Sequence, residues 1–184
     1  LDESDGIEWA KWFVGGRLNV ATNCVHRWAA RRPDDVGAVF LGEDGERRAR
    51  TYRELSDETT RLAEAIVELG VEPGDRVAIY MPMCPEVAVA SHACAHIGAV
   101  QVPIFSGFAG PAVRERLQDS EAKVVLTADW SLRRGKRLDM RATVEDAARE
   151  AAAVEHVVTW NRADRSWGGV QLGPGELPPL DVDS

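Results

Sequence analysis

"VEPGDRVAIYMPMCPEVAVASHACAHIGAVQVPIF", residues 71–105, decides the fold. A Pro-Gly turn at Pro73 and Gly74 leads into an unbroken apolar run, Val77 to Met81, which suits a strand covered on both faces. Pro85 stands where the first turn of a helix tolerates a missing N–H, and Gly98 stands where such a helix needs a stop. A second apolar run, "AVQVPIF" (99–105), follows at once and reads as another buried strand. Strand, helix and strand in such close succession form a right-handed βαβ crossover between parallel strands.

The same alternation extends in both directions. Downstream, "GPAVRERLQDS" (110–120) reads as a short helix opened by Pro111, "AKVVLTA" (122–128) as a third strand, "RATVEDAAREAAA" (141–153) as a helix and "EHVVTW" (155–160) as a fourth strand. Upstream, "GAVFLGEDGERRARTY" (37–52) has the form of a hairpin turning at Gly42–Gly45. Thr51 and Glu54 then supply a capping box for a long helix. Its apolar face repeats at Leu55, Leu62, Ile66 and Leu69, and Gly70 ends it. The fold class is α/β: a parallel sheet with helices on both faces, preceded by a hairpin. Residues 1–36 form a lead-in whose Trp9, Trp12 and Phe13 call for a body to pack on. Residues 37–160 form the α/β unit, and residues 161–184, rich in Gly and Pro, read as a connecting loop or linker.

Composition removes several function classes. The chain has 184 residues, 45% hydrophobic and 28% charged, which suits one globular domain with its own core. No apolar run approaches the ~18 to 20 residues of a membrane span. A formal net charge of -8 argues against a general nucleic-acid or anionic-lipid binder, so any anion site must be local. Three cysteines without a CxxC pair favour a reducing cytoplasm over a disulfide framework. His92 and His96 share a helical spacing, yet no carboxylate supports them, and no metal site is expected.

In an open parallel sheet, ligands bind beyond the carboxyl ends of the strands. Two loops there carry chemistry. "IFSGFAG" (104–110) offers the flat faces of Phe105 and Phe108 and the small Gly107 and Gly110. "SLRRGKRLDM" (131–140) sets Arg133, Arg134, Lys136 and Arg137 within five positions. If strands 99–105 and 122–128 are neighbours, both loops leave the same edge, and an aromatic face beside cations suits a phosphorylated nucleotide. A solvated turn for the cations and core packing for the two phenylalanines stand beside that reading. The chain has no GxxxxGK[ST], no GxSxG and no GxGxxG after a strand. Glu145, Asp146 and Glu150 lie at solvated helix-face spacings, so no catalytic residue is assigned.

Four stretches, taken together, carry a family resemblance. "WFVGGRLNVATNCVHRW" (12–28), the long segment from Thr51 to Val100, "FSGFAGPAVRERLQDSEAKVVLTADW" (105–130) and "RRGK" (133–136) resemble, in order and spacing, the N-terminal portion of AMP-forming acetyl-CoA synthetases and their acyl-CoA synthetase relatives among the adenylate-forming ligases. The likeness covers nearly all of residues 8–160.

The resemblance implies a two-step ligase: a carboxylate attacks the α-phosphate of ATP to give an acyl-adenylate and pyrophosphate, and coenzyme A then displaces AMP. It implies that Phe105 and Gly107 border the adenine of coenzyme A, and that Arg133, Arg134 and Lys136 line the basic loop facing its phosphates. Ser106 stands where the family usually has glycine, and Lys136 where arginine is common, exchanging a bidentate fork for a point charge. The family's Ser/Thr/Gly-rich phosphate loop ending in Pro-Lys, its ribose-binding aspartate and its adenylation lysine have no counterpart in this sequence. The implied sites for ATP and magnesium therefore lie outside it. The expectation is an N-terminal portion that supplies part of a coenzyme A surface and does not adenylate alone, with the remainder of the synthetase as its partner. Beside it stand a free-standing coenzyme A or nucleotide-binding module without catalysis, and an incomplete fold that persists by association.

Overall fold

A computed structural model describes residues 1–171 of the chain. The lead-in holds one short helical turn at Ile7–Trp9, then a helical segment, Thr22–His26, that runs on into α1 (Arg27–Arg31). A hairpin of β1 (Val36–Leu41) and β2 (Arg47–Thr51) follows as its own antiparallel pair. Helix α2 (Tyr52–Glu68) starts where the sequence says it should. The Glu54 amide donates to Thr51 Oγ1 at 3.2 Å and the Thr51 amide donates to the Glu54 carboxylate at 2.7 Å, closing the capping box. Gly70 then turns the chain with φ +82°.

Five strands form the main sheet: β3 (Arg76–Tyr80), β4 (Val100–Pro103), β5 (Val124–Ala128), β8 (His156–Asn161) and β9 (Ser166–Gln171), in the order β4-β3-β5-β8-β9. The first four in that order are parallel, and β9 runs antiparallel to β8. Helices α2 and α3 (Pro85–Ile97) cover one face, where Leu62, Ile66, Val89 and Ala93 meet Val77, Ile79, Val124 and Leu126. Helices α4 (Gly110–Ser120) and α5 (Met140–Arg149) cover the other, where Val113, Leu117 and Val144 meet Ala78, Val125 and Val157. Alternate residues of β3 and β5 thus enter separate cores. Both strands are buried on both sides, as their continuous apolar character requires.

Three expectations are corrected. Strand β4 is not buried: it lies at the sheet edge with Val100 half exposed, and Pro103, which has no N–H for an outer neighbour, fits only such a place. Strands β4 and β5 are not neighbours, because β3 runs between them. The loop expected from residue 161 onward contains β9, ordered by main-chain pairing along β8 and by Trp167 against Trp160, ring centroids 5.3 Å apart; residues 172–184 lie outside the described part. Trp9, Trp12 and Phe13 remain 72%, 70% and 85% exposed, so the body they call for is not found among the described residues.

A buried ionic knot joins the hairpin to the body. Glu86, 1% exposed in the first turn of α3, accepts two hydrogen bonds from Arg48, at 2.8 and 3.3 Å, and one from Arg50 at 3.4 Å. Arg50 also reaches Glu58 of α2 at 2.8 Å. Hydrogen-bonded partners offset the desolvation of the carboxylate, and the hairpin is thereby fixed beside the strand ends.

Candidate functional site

Every parallel strand sends its carboxyl end to one cleft of about 220 Å³. Pro82 and Met83 come from the loop after β3, Phe105 and Ser106 from the loop after β4, Ser131 to Arg133 from the segment after β5, and Arg162 from the turn after β8. Phe40 to Asp44, at the turn end of the β1–β2 hairpin, also line it. Chain order reverses at β3: the chain leaves β3 for α3 on one face and β4 for α4 on the other. That divergence opens a crevice at the strand ends. The cleft is smaller than the ~300 to 1,000 Å³ of a drug-sized ligand pocket, and so suits one end of a ligand.

The basic stretch is the end of a second hairpin, which sequence reasoning missed. Strands β6 (Trp130–Arg133) and β7 (Lys136–Asp139) pair antiparallel around a two-residue turn. Arg134 and Gly135 have φ +51° and +72°, the double left-handed requirement of a tight hairpin turn. Glycine meets it without strain and arginine does not. The signal available was Gly135 between two alternating segments.

The turn throws the cations to different places. Arg133 folds back over the loop after β4, its guanidinium 5.3 Å from the Phe105 ring centroid. Arg134 and Lys136 stand exposed at the tip. Arg137 lies over Trp130 at 4.7 Å, on the side of a neighbouring hollow that Arg162 also lines. Among the described residues, none of Arg133, Arg134, Lys136, Arg137 and Arg162 is paired with a carboxylate. In a chain of net charge -8 that is a local excess of positive potential.

Gly107 is needed here for a reason different from the expected one. A Cβ at this position would come within 2.9 Å of the Arg133 Cζ and 2.6 Å of the Phe105 ring. The space is filled by these two side chains and is not left open for a ligand. Gly110 has open space around it instead. Phe105 is 59% exposed and available for stacking, whereas Phe108 is half-buried, edge-on to Phe105 and under the Arg116 guanidinium at 4.1 Å. Core packing therefore describes Phe108 and not Phe105.

Tyr80, at the end of β3, also escaped sequence reasoning. Its hydroxyl donates to the carbonyls of Phe108 at 2.9 Å and Ser106 at 3.3 Å, tying the loop down from below. Burial pushes its pKa up, against the opposing pull of Arg133, so it stays a neutral donor. The loop bearing Phe105 is thus held by Tyr80 beneath and Arg133 above.

No group of three or more His, Cys, Asp or Glu among the described residues could hold a metal ion. His96 instead meets His26, Nδ1 to Nε2 at 2.9 Å, and His92 bonds the Ala88 carbonyl. Among the described residues no helix is long and apolar enough to cross a membrane.

The family model described as AMP-binding enzyme matches residues 25–176, across the sheet and the cleft. The chain belongs to this family. Acetyl-coenzyme A synthetase of Streptomyces coelicolor is 47% identical over 174 residues, 90% of this chain and 27% of that protein. The enzyme of the same name from Syntrophus aciditrophicus is 38% identical over 98% of this chain and 30% of its own length. Among solved structures, acetoacetyl-CoA synthetase from Streptomyces lividans superposes with a TM-score of 0.76 at 35% identity, over 82% of this chain and 23% of that one. The chain spans less than a third of the length of these relatives. It carries part of the adenylate-forming ligase fold.

Proposed function

We propose that this chain is the N-terminal portion of an AMP-forming acyl-CoA synthetase of the acetate-CoA ligase type, contributing part of the coenzyme A surface. In the whole enzyme a carboxylic acid, ATP and coenzyme A give acyl-CoA, AMP and pyrophosphate. The observation that carries the reading is the Arg133 guanidinium beside Phe105, a cation without a carboxylate partner next to an exposed ring at the strand ends. The ring stacks the adenine, Arg133 takes a phosphate as a hydrogen-bonded fork, and Lys136 and Arg134 add charge at the hairpin tip. The similarity to acetyl-coenzyme A synthetases supports the same assignment.

ATP and magnesium are handled by residues this sequence does not contain, so the chain alone carries no adenylation step. The exposed Trp9, Trp12 and Phe13 form the face on which the rest of the synthetase packs. Assembled with that remainder, the Arg133→Ala variant should bind coenzyme A about 1.5 to 3 kcal/mol more weakly, the range for a hydrogen bond to a charged group. ATP–pyrophosphate exchange should be spared. Equal loss in both half-reactions would refute a role confined to coenzyme A.

A further inference from the structure

The hairpin that carries Arg133 stands apart from the main sheet as its own two-stranded pair. Every residue of β7 is exposed, and in β6 Ser131 alone is buried. A two-stranded hairpin is marginal without support. The place of Arg133 therefore depends on what holds the hairpin's base.

Asp129, the single residue between β5 and β6, holds that base through every polar group it has. Its amide donates to the Trp160 carbonyl at 3.0 Å. Its carbonyl accepts from the amides of Met140 and Arg141, just beyond β7, at 3.1 and 3.3 Å. The carboxylate is divided: Oδ1 accepts from the Trp130 amide at 2.8 Å, and Oδ2 accepts from the Arg162 amide at 3.3 Å. One residue thus joins both feet of the hairpin to the chain leaving β8. The Trp130 ring extends the joint, with the Arg162 guanidinium 4.4 Å and the Arg137 guanidinium of β7 4.7 Å from its centroid. The main-chain bonds at this position are open to any residue. The two side-chain bonds are not, because they need two acceptor oxygens on a short side chain, and a carboxylate makes them stronger than a neutral acceptor would.

We propose that Asp129 is the positioning residue of the basic hairpin: by tying Trp130 to the end of β8 it sets where β6 points, and so brings Arg133 over Phe105. The consequence for ligand binding rests on the nucleotide reading of the cleft given above; the placement itself does not.

The test is nuclear magnetic resonance on the full isotope-labelled chain and its Asp129→Ala and Asp129→Asn variants. In the wild-type chain the Arg133 side chain should show nuclear Overhauser contacts to the Phe105 ring. Asp129→Ala should abolish them and speed amide exchange at residues 130–139 by about tenfold, while exchange in β3 and β5 holds. Asp129→Asn, with one acceptor oxygen for two amides, should keep weakened contacts, a graded rescue that loss of the fold would not give. Coenzyme A should bind the alanine variant about three- to tenfold more weakly, from the ordering of a freed side chain. If the wild-type chain lacks the contacts, if Asp129→Ala keeps them, or if protection in Asp129→Asn falls across the whole sheet, the positioning role is refuted. The contacts are read without ligand, so they decide the proposal even where coenzyme A leaves the wild-type hairpin unmoved, the outcome that would remove the coenzyme A reading instead.

Discussion

Arg133 and Phe105, which come from different strand ends, meet with the guanidinium 5.3 Å from the ring centroid, and Gly107 is the residue that lets them. A Gly107→Ala methyl would have to displace both side chains. Stability should change little, because the loop is at the surface, while nucleotide binding should weaken by about three- to tenfold, consistent with losing roughly 0.5 to 1 kcal/mol of cation–π contact and its alignment. Ligand titration beside a urea melt separates the two; unchanged binding would show that Arg133 is not positioned by this contact.

Tyr80 holds the same loop from beneath. Tyr80→Phe removes a donor from the Phe108 and Ser106 carbonyls. The expected cost is about 0.5 to 1.5 kcal/mol in unfolding free energy, with faster hydrogen exchange confined to residues 105–109. Uniform loss of protection throughout the sheet would argue that the hydroxyl serves the core and not the loop.

Glu86 is the centre of the buried ionic knot with Arg48 and Arg50. Glu86→Ala leaves Arg48 with Glu46 and Arg50 with Glu58 as remaining partners, so the loss should be about 1 to 3 kcal/mol, short of the roughly 3 to 5 kcal/mol of an uncompensated buried charge. Chemical denaturation measures this directly. A loss below 1 kcal/mol would mean that the two arginines find water or other acids without difficulty.

Histidine titration gives the chain an acid-sensitive limb. Burial lowers the pKa of His26, helped by the nearby His96 and His92, and burial also lowers that of His156. A depressed folded pKa means that the unfolded state binds protons first. The stability these groups contribute is present above the ordinary histidine value of about 6.5 and is lost as pH falls through their lower folded values. Urea midpoints measured downward from neutral pH should fall through this window, and His26→Gln should flatten the slope. An unchanged slope would remove His26 from the account.

Thiol chemistry offers an independent check on the core. Burial pushes the pKa of Cys84 and Cys94 up to about 12, while Cys24 is exposed. A neutral disulfide reagent should therefore label Cys24 in the folded chain and reach the other two only after denaturation. Rapid native labelling at Cys94 would contradict the packing of α3 on the sheet.

Most of the α/β framework was legible because its signals are local. The Thr51 and Glu54 box, Pro85, Gly98 and the unbroken apolar runs of β3 and β5 each act within a few residues of themselves. Strand order is not local: β3 between β4 and β5 follows from which face each crossover helix covers, and no residue spells that out. Pro103 did carry the edge position of β4, although its apolar neighbours hid it. The hairpin β6–β7 was concealed by its charge, since four cations read as solvent-facing whether or not they are paired in strands. Strand β9 draws its order from Trp160 and the β8 backbone, partners distant in kind from its own Gly-rich sequence. Around the cleft, Phe105, Gly107 and Arg133 were legible from their loops, and the fold brings them together. Tyr80 and Arg162 were not, because a tyrosine inside a strand and an arginine after one carry no pattern until the strand ends converge.

Amide shift mapping with coenzyme A and with dephospho-coenzyme A, which lacks the 3′-phosphate, tests the central assignment most directly. Coenzyme A at millimolar concentration should move the amides of residues 105–107 and 131–136, dephospho-coenzyme A should move them at markedly higher concentration, and Arg133→Ala should make the two ligands equal. Shifts confined to other surfaces, or equal response to both ligands in the wild-type chain, would contradict it.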